Sequence, residues 1–94
     1  MRSKRDANEA ALIQLWRQLG CVVIQMDRDA GFDLLVLHRG EVYIVEIKDI
    51  KPGHKNFKLT EAEQERDVEI GRVGVPYNII TNRREALELV GANE

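Results

Sequence analysis

Three residues in the middle of the chain have the types and the spacing to act together: Asp33, Glu46 and Lys48. Asp33 interrupts the apolar run 32–37, Phe-Asp-Leu-Leu-Val-Leu, at a place where strand propensity disfavours an acid. Glu46 and Lys48 flank Ile47 at the end of a second apolar run that starts at Val42. A tight turn at Arg39-Gly40 folds the two runs into a hairpin in which Leu37 faces Val42, Leu35 faces Ile44 and Asp33 faces Glu46. A longer loop over 38–41 gives the same pairing. Directly opposed residues share a face, with Cβ atoms about 4.5–5.5 Å apart. Lys48, two residues beyond Glu46, returns to that face. A loop of odd length would throw Asp33 to the other face and dissolve the group.

Two carboxylates this close repel, so one of them holds a proton unless a cation joins them. A hard divalent ion such as Mg²⁺, for which Mn²⁺ substitutes, takes oxygen ligands from one or two carboxylates, waters and phosphates. It polarises a phosphoryl oxygen and acidifies its bound water. A lysine beside it can orient that water and offset charge on a phosphate. A plain ion pair of Lys48 with either acid at a strand end is the bland alternative. The matching register and the breach of local strand preference weigh toward a working site.

The elements that would position these residues follow from periodicity. Ala11, Leu12, Leu15, Trp16 and Leu19 form one apolar stripe of a helix over about 6–19, with Gly20 after its end. Residues 21–25 read as a strand, 27–31 as a polar turn, and 32–37 and 42–47 as two more strands. Those two are apolar at consecutive positions, which predicts a sheet covered by helices on both faces. Thr60-Glu61-Ala62-Glu63 is a capping box that opens a second helix reaching about Ile70. A fourth strand spans 75–81, and Asn82 caps a last short helix stopped by Gly91. The expected fold is α/β, a mixed sheet with element order α-β-β-β-α-β-α and helices on both faces.

The chain has 94 residues, room for a single domain over 1–94. Its 14 basic and 16 acidic residues give a net charge of -2, which excludes a uniformly basic nucleic-acid coat but not a local basic patch. Such a patch gathers after Lys48, at Lys51, His54, Lys55 and Lys58, with a second at Arg2, Lys4 and Arg5. Cations beside a phosphate-cleaving centre track a nucleic-acid backbone, although a solvated loop has the same composition. The acids Glu61, Glu63, Glu65, Asp67 and Glu69 crowd the second helix and read as its solvated outer face or as a surface that pairs with basic residues of another subunit. The single cysteine, Cys21, cannot form an internal disulfide. No apolar run approaches the roughly 18–20 residues that cross a bilayer. The N-terminal stretch lacks the apolar core of a secretory leader. An intracellular, cytoplasmic setting is expected, with no membrane partner and no organic cofactor.

Gly31-Phe32-Asp33 with Leu34-Leu35-Val36-Leu37, followed by Val45-Glu46-Ile47-Lys48, resembles the PD-(D/E)XK nuclease superfamily. The layout is most similar to its small virus-type replication-repair (VRR-NUC) branch and also resembles Holliday-junction resolvases. Phe32 stands where the motif's name has proline. The resemblance covers about residues 9–81 and implies a restriction-endonuclease-like fold. It implies metal ligation by Asp33, Glu46 and the backbone carbonyl of Ile47, with Lys48 catalytic. Glu9 matches an acid that many members carry on the first helix, a further catalytic and metal candidate; as a first-turn acid it also suits the helix dipole. Gln64 matches a glutamine on the helix after the third strand, although any exposed helix accepts one. The implied activity is Mg²⁺-dependent endonuclease cleavage of DNA, leaving 5′-phosphate and 3′-hydroxyl ends. A chain this small has little surface to enclose a duplex. A homodimer acting on branched DNA such as a four-way junction is therefore expected, with a phage origin compatible. A non-catalytic nucleic-acid-binding module of the same fold, a nuclease subunit acting on single-strand or flap DNA with a helicase, and an interaction subunit docking through its acidic helix are the alternatives.

Overall fold

Positive backbone angles at Arg39 (φ 49°) and Gly40 (φ 82°) set the centre of the fold. Two consecutive left-handed residues make the hairpin turn whose twist matches its strands. A computed structural model of the chain describes residues 7–49 and 58–92. Helix α1 (Ala7–Gln18) leads to β1 (Val22–Gln25), a 3₁₀ turn at Arg28–Ala30, the hairpin β2 (Leu34–His38) and β3 (Glu41–Ile47), α2 (Glu61–Gly71), β4 (Tyr77–Ile80) and α3 (Arg83–Leu89). The four strands form one mixed sheet in the order β1-β2-β3-β4. β1 with β2 and β2 with β3 pair antiparallel, and β4 is parallel to β3. The hairpin pairs Leu37 with Val42, Leu35 with Ile44 and Leu34 with Val45.

The core lies on one face of this sheet. Leu34, Val36 and Val45 are fully buried there, with Ile47 and Ile80 beside them and Leu12, Leu15 and Trp16 of α1 and Ala86 and Leu87 of α3 across from them. Trp16 is 0% exposed, and its Nε1 donates to the Ala86 carbonyl at 3.0 Å, which ties α1 to α3 and satisfies the ring's polar atom. The expected stripe of α1 needs one correction: Ala11 is exposed and Ile13 is buried. The helix touches both the sheet and α3, so its buried arc is wider than a single stripe.

The expectation of helices covering both faces holds only in part. α2 meets β4, and its Glu63 reaches Lys48, on the face opposite the core by strand alternation. Val22, Ile24 and Val42 stay exposed, and Leu35 and Leu37 are half-buried. Consecutive apolar residues therefore mark one packed face and one partly open one. α2 has none of its residues fully buried. No helix among the described residues is long and apolar enough to cross a membrane.

Candidate active site

Asp33 sits one residue before β2, and its backbone continues the pairing irregularly. Its N–H donates to the Val45 carbonyl at 3.0 Å, and its carbonyl accepts from the Met26 N–H at 2.9 Å. Its carboxylate Oδ2 accepts from the backbone N–H of Ile47 at 2.8 Å. The turn that delivers Asp33 is held from two sides. The Tyr77 hydroxyl donates to the Gly31 carbonyl at 2.7 Å, and Arg66 Nε of α2 donates to the Ala30 carbonyl at 2.7 Å. Gly31 has φ 79°, and a Cβ there would lie 2.7 Å from Arg66 Cβ. Only glycine lets α2 approach the turn this closely.

Glu46, one residue beyond the Leu34–Val45 pair that ends the β2–β3 ladder, is 3% exposed. Its Oε2 lies 3.5 Å from Lys48 Nζ, and its buried Oε1 has no hydrogen-bond partner. Lys48 is held more tightly by an acid of α2: its Nζ is 2.8 Å from Glu63 Oε1. That same oxygen accepts the Thr60 N–H at 2.8 Å, while Thr60 Oγ1 accepts the Glu63 N–H, so the capping box orients the carboxylate. Glu63 and Asp33 both crowd the Glu46 carboxyl and disfavour its charge. The centre is therefore three acids and one lysine: Asp33 just before β2, Glu46 at the end of β3, Lys48 just after it, and Glu63 in α2.

The electrostatics follow from burial and crowding. Burial, then the contact with Glu63 and the charge of Asp33, push Glu46 up to about 9, so it carries a proton at neutral pH. Burial also raises Asp33, against the Ile47 N–H that favours its anion. Burial pushes Glu63 up, but hydrogen bonds from Glu46, Lys48 and Thr60 outweigh it and hold its carboxyl below the usual range. For Lys48 burial favours the neutral amine, and Glu63 and Glu46 overcome it and raise the ammonium. Burial, followed by the field of Glu46, Glu63 and Asp33, raises the Tyr77 hydroxyl.

The structure brings Asp33, Glu46, Ile47 and Lys48 together. Glu9 is 5% exposed in the first turn of α1. Its neighbour Asn8 donates to the Thr81 carbonyl at 3.4 Å, at the end of the sheet where the Lys48 N–H meets the Ile80 carbonyl at 3.1 Å. Gln64 turns away: it is exposed, donates to the Leu59 carbonyl at 3.0 Å, and lines a separate cleft of about 710 Å³ with Asp29, Arg66 and Arg72. Of the basic candidates, Lys58 is described and exposed. Lys4, Arg5, Lys51, His54 and Lys55 lie outside the described residues. Sequence reasoning missed Glu63 as a site residue, taking it with the other acids of α2 as solvated. The signal was present in the capping box, which fixes the side chain at that position.

Among the described residues no group of three or more His, Cys, Asp or Glu side chains is arranged to hold a metal ion. The donor set still suits a hard cation that keeps most of its waters. Two adjacent carboxylates are present, and one of them has a buried oxygen with no partner. The proton that Glu46 retains occupies the place in the charge balance that a cation would take. Comparison with protein-family models, curated proteins and solved structures finds no match to this chain.

Proposed function

We propose that the chain is a metal-dependent DNA endonuclease with a restriction-endonuclease-like fold of the PD-(D/E)XK type. The observation that carries this reading is buried Glu46 beside half-buried Asp33, with Glu46 Oε1 unpartnered and its carboxyl pushed to about 9. A buried carboxyl oxygen without a partner is costly unless something joins it, and the Lys48 pair at 3.5 Å engages only the other oxygen. Asp33, Glu46 and the carbonyl of Ile47 would hold Mg²⁺, with Mn²⁺ as a substitute and Glu9 as a further candidate. The ion supplies Lewis acidity at a phosphoryl oxygen and acidifies a bound water. The Ile47 N–H fixes the Asp33 carboxylate, and Lys48 orients the attacking water and offsets charge on the phosphate. Lys58 and the basic residues at 51–55 would track the DNA backbone.

A chain of 94 residues offers little surface to enclose a duplex, which supports a homodimer acting on branched DNA inside the cell. The test is cleavage of labelled four-way junction, flap and linear DNA with Mg²⁺, against EDTA and against Lys48→Ala. Cutting that requires the metal and falls to a small measurable residue in the variant is the expected result. No cutting of any substrate, or equal cutting by Lys48→Ala, overturns the reading. Sedimentation velocity checks the dimer.

A further inference from the structure

The lysine of the site faces a conflict that its own strand cannot resolve. Lys48 lies 3.5 Å from Glu46 Oε2. A divalent ion on Asp33 and Glu46 would engage that carboxylate and repel the ammonium. A lysine paired with Glu46 alone would then lose its hold when the site is loaded. Glu63 resolves this. It comes from α2, its Oε1 sits closer to Lys48 Nζ at 2.8 Å, and the Thr60 N–H fixes that oxygen at 2.8 Å. Arg66, one turn further along α2, holds the Ala30 carbonyl in the turn that delivers Asp33. One helix thus grips both halves of the centre, the aspartate through a backbone carbonyl and the lysine through a carboxylate.

We propose that Glu63 is the positioning residue for Lys48, a helix-capped carboxylate that holds the ammonium at the site independently of Glu46. The Lys48–Glu63 pair is neutral as a unit, which leaves the charges of Asp33 and Glu46 for the cation. Glu63 acts through Lys48 and touches no reacting atom. This role rests on the phosphodiester-cleaving reading above, so its test includes a measurement that needs no activity.

The variant is Glu63→Gln. Glutamine serves the same capping box, so the helix start is kept while the charge that holds Lys48 is removed; a thermal melt verifies folding. Competitive acetylation with a succinimidyl ester, read by mass spectrometry with exposed Lys58 as internal reference, reports the freedom of each amine, with and without MnCl₂. Lys48 of the wild type is expected to stay protected in both conditions, and Glu63→Gln to raise its labelling at least about fivefold with Mn²⁺ present, as expected for an amine released from a carboxylate. On junction DNA the variant is expected to lower kcat by roughly 10- to 100-fold with KM unchanged, the range for a misplaced catalytic group. In a Lys48→Met background the same change is expected to cost nothing further. Equal Lys48 labelling in wild type and Glu63→Gln overturns the proposal, as does a loss confined to KM or one that persists without Lys48. A wild type that cuts no DNA overturns the nuclease reading, and loss of Lys48 protection in the variant then still upholds the hold of Glu63 on it.

Discussion

The Asp33 carboxylate accepts a 2.8 Å hydrogen bond from the backbone N–H of Ile47, so the first acid of the site is fastened to the strand that carries the second. This bond sets the spacing of the pair without using a side chain of β3. It also leaves the other Asp33 oxygen to the cation proposed above.

Asp33→Ala strips the Ile47 amide of its acceptor and is expected to lower stability by about 1–3 kcal/mol, the range for a buried group left unpaired. Asp33→Asn keeps an acceptor oxygen and is expected to fold nearly as stably as the wild type. Both should lose cleavage. Urea unfolding and amide exchange at Ile47 separate the two variants: exchange accelerates in the alanine variant and not in the asparagine variant.

Glu46 gives the metal-free protein a distinctive pH profile. Its carboxyl titrates at about 9 when folded, against an ordinary 4.5. The folded state therefore binds the extra proton between those values, and stability falls as pH rises through that window. The melting temperature without metal is expected to drop by several degrees from pH 6 to pH 9. Glu46→Gln, an uncharged mimic of the protonated acid, should flatten that slope and abolish cleavage. Mg²⁺ should stabilise the wild type more as pH rises, because binding then displaces less proton; melts with and without the ion measure it.

Gly31→Ala should be costly for its size. The residue is left-handed, and the new methyl would meet Arg66 Cβ at 2.7 Å. Strain and the displaced α2 together are expected to destabilise by about 2 kcal/mol. Thermal denaturation gives the loss, and cleavage should fall with it because the same turn delivers Asp33.

Trp16→Phe leaves the Ala86 carbonyl without its 3.0 Å donor and opens space in the core. A loss of about 1–3 kcal/mol is expected for the unsatisfied carbonyl, more with the lost volume. Cleavage by the fraction that remains folded should be unchanged, since Trp16 packs on the sheet face opposite Glu46. Denaturant melts set beside kcat at low temperature check both parts.

The hairpin was legible because two independent constraints agree: Arg39-Gly40 admits a two-residue turn, and the register it sets pairs Leu35 with Ile44. The same arithmetic sets Asp33 against Glu46; the observed ladder ends at Leu34 with Val45, and Asp33 fastens instead to the backbone of Ile47. Burial, ahead of crowding, raises Glu46. Glu63 was hidden for a physical reason. A helix with five acids reads as having a solvated outer face, and which one turns inward depends on how α2 docks beside β4 and the end of β3. The exposure of Val22 and Val42 was hidden too. Consecutive apolar residues in a strand predict burial on both faces, but the face they reach is decided by how far one short helix extends.

That helix has no fully buried residue, whereas α1 contributes Leu12, Leu15 and Trp16 to the core. Segments with little buried apolar surface open at lower free energy than the rest of a domain. In hydrogen exchange α2 should therefore lose its protection before α1, β2 and β3 do. The centre is consequently built across a seam between two parts of unequal durability. Asp33 and Glu46 belong to the part that outlasts partial unfolding, and the grip on Lys48 belongs to the part that lets go first.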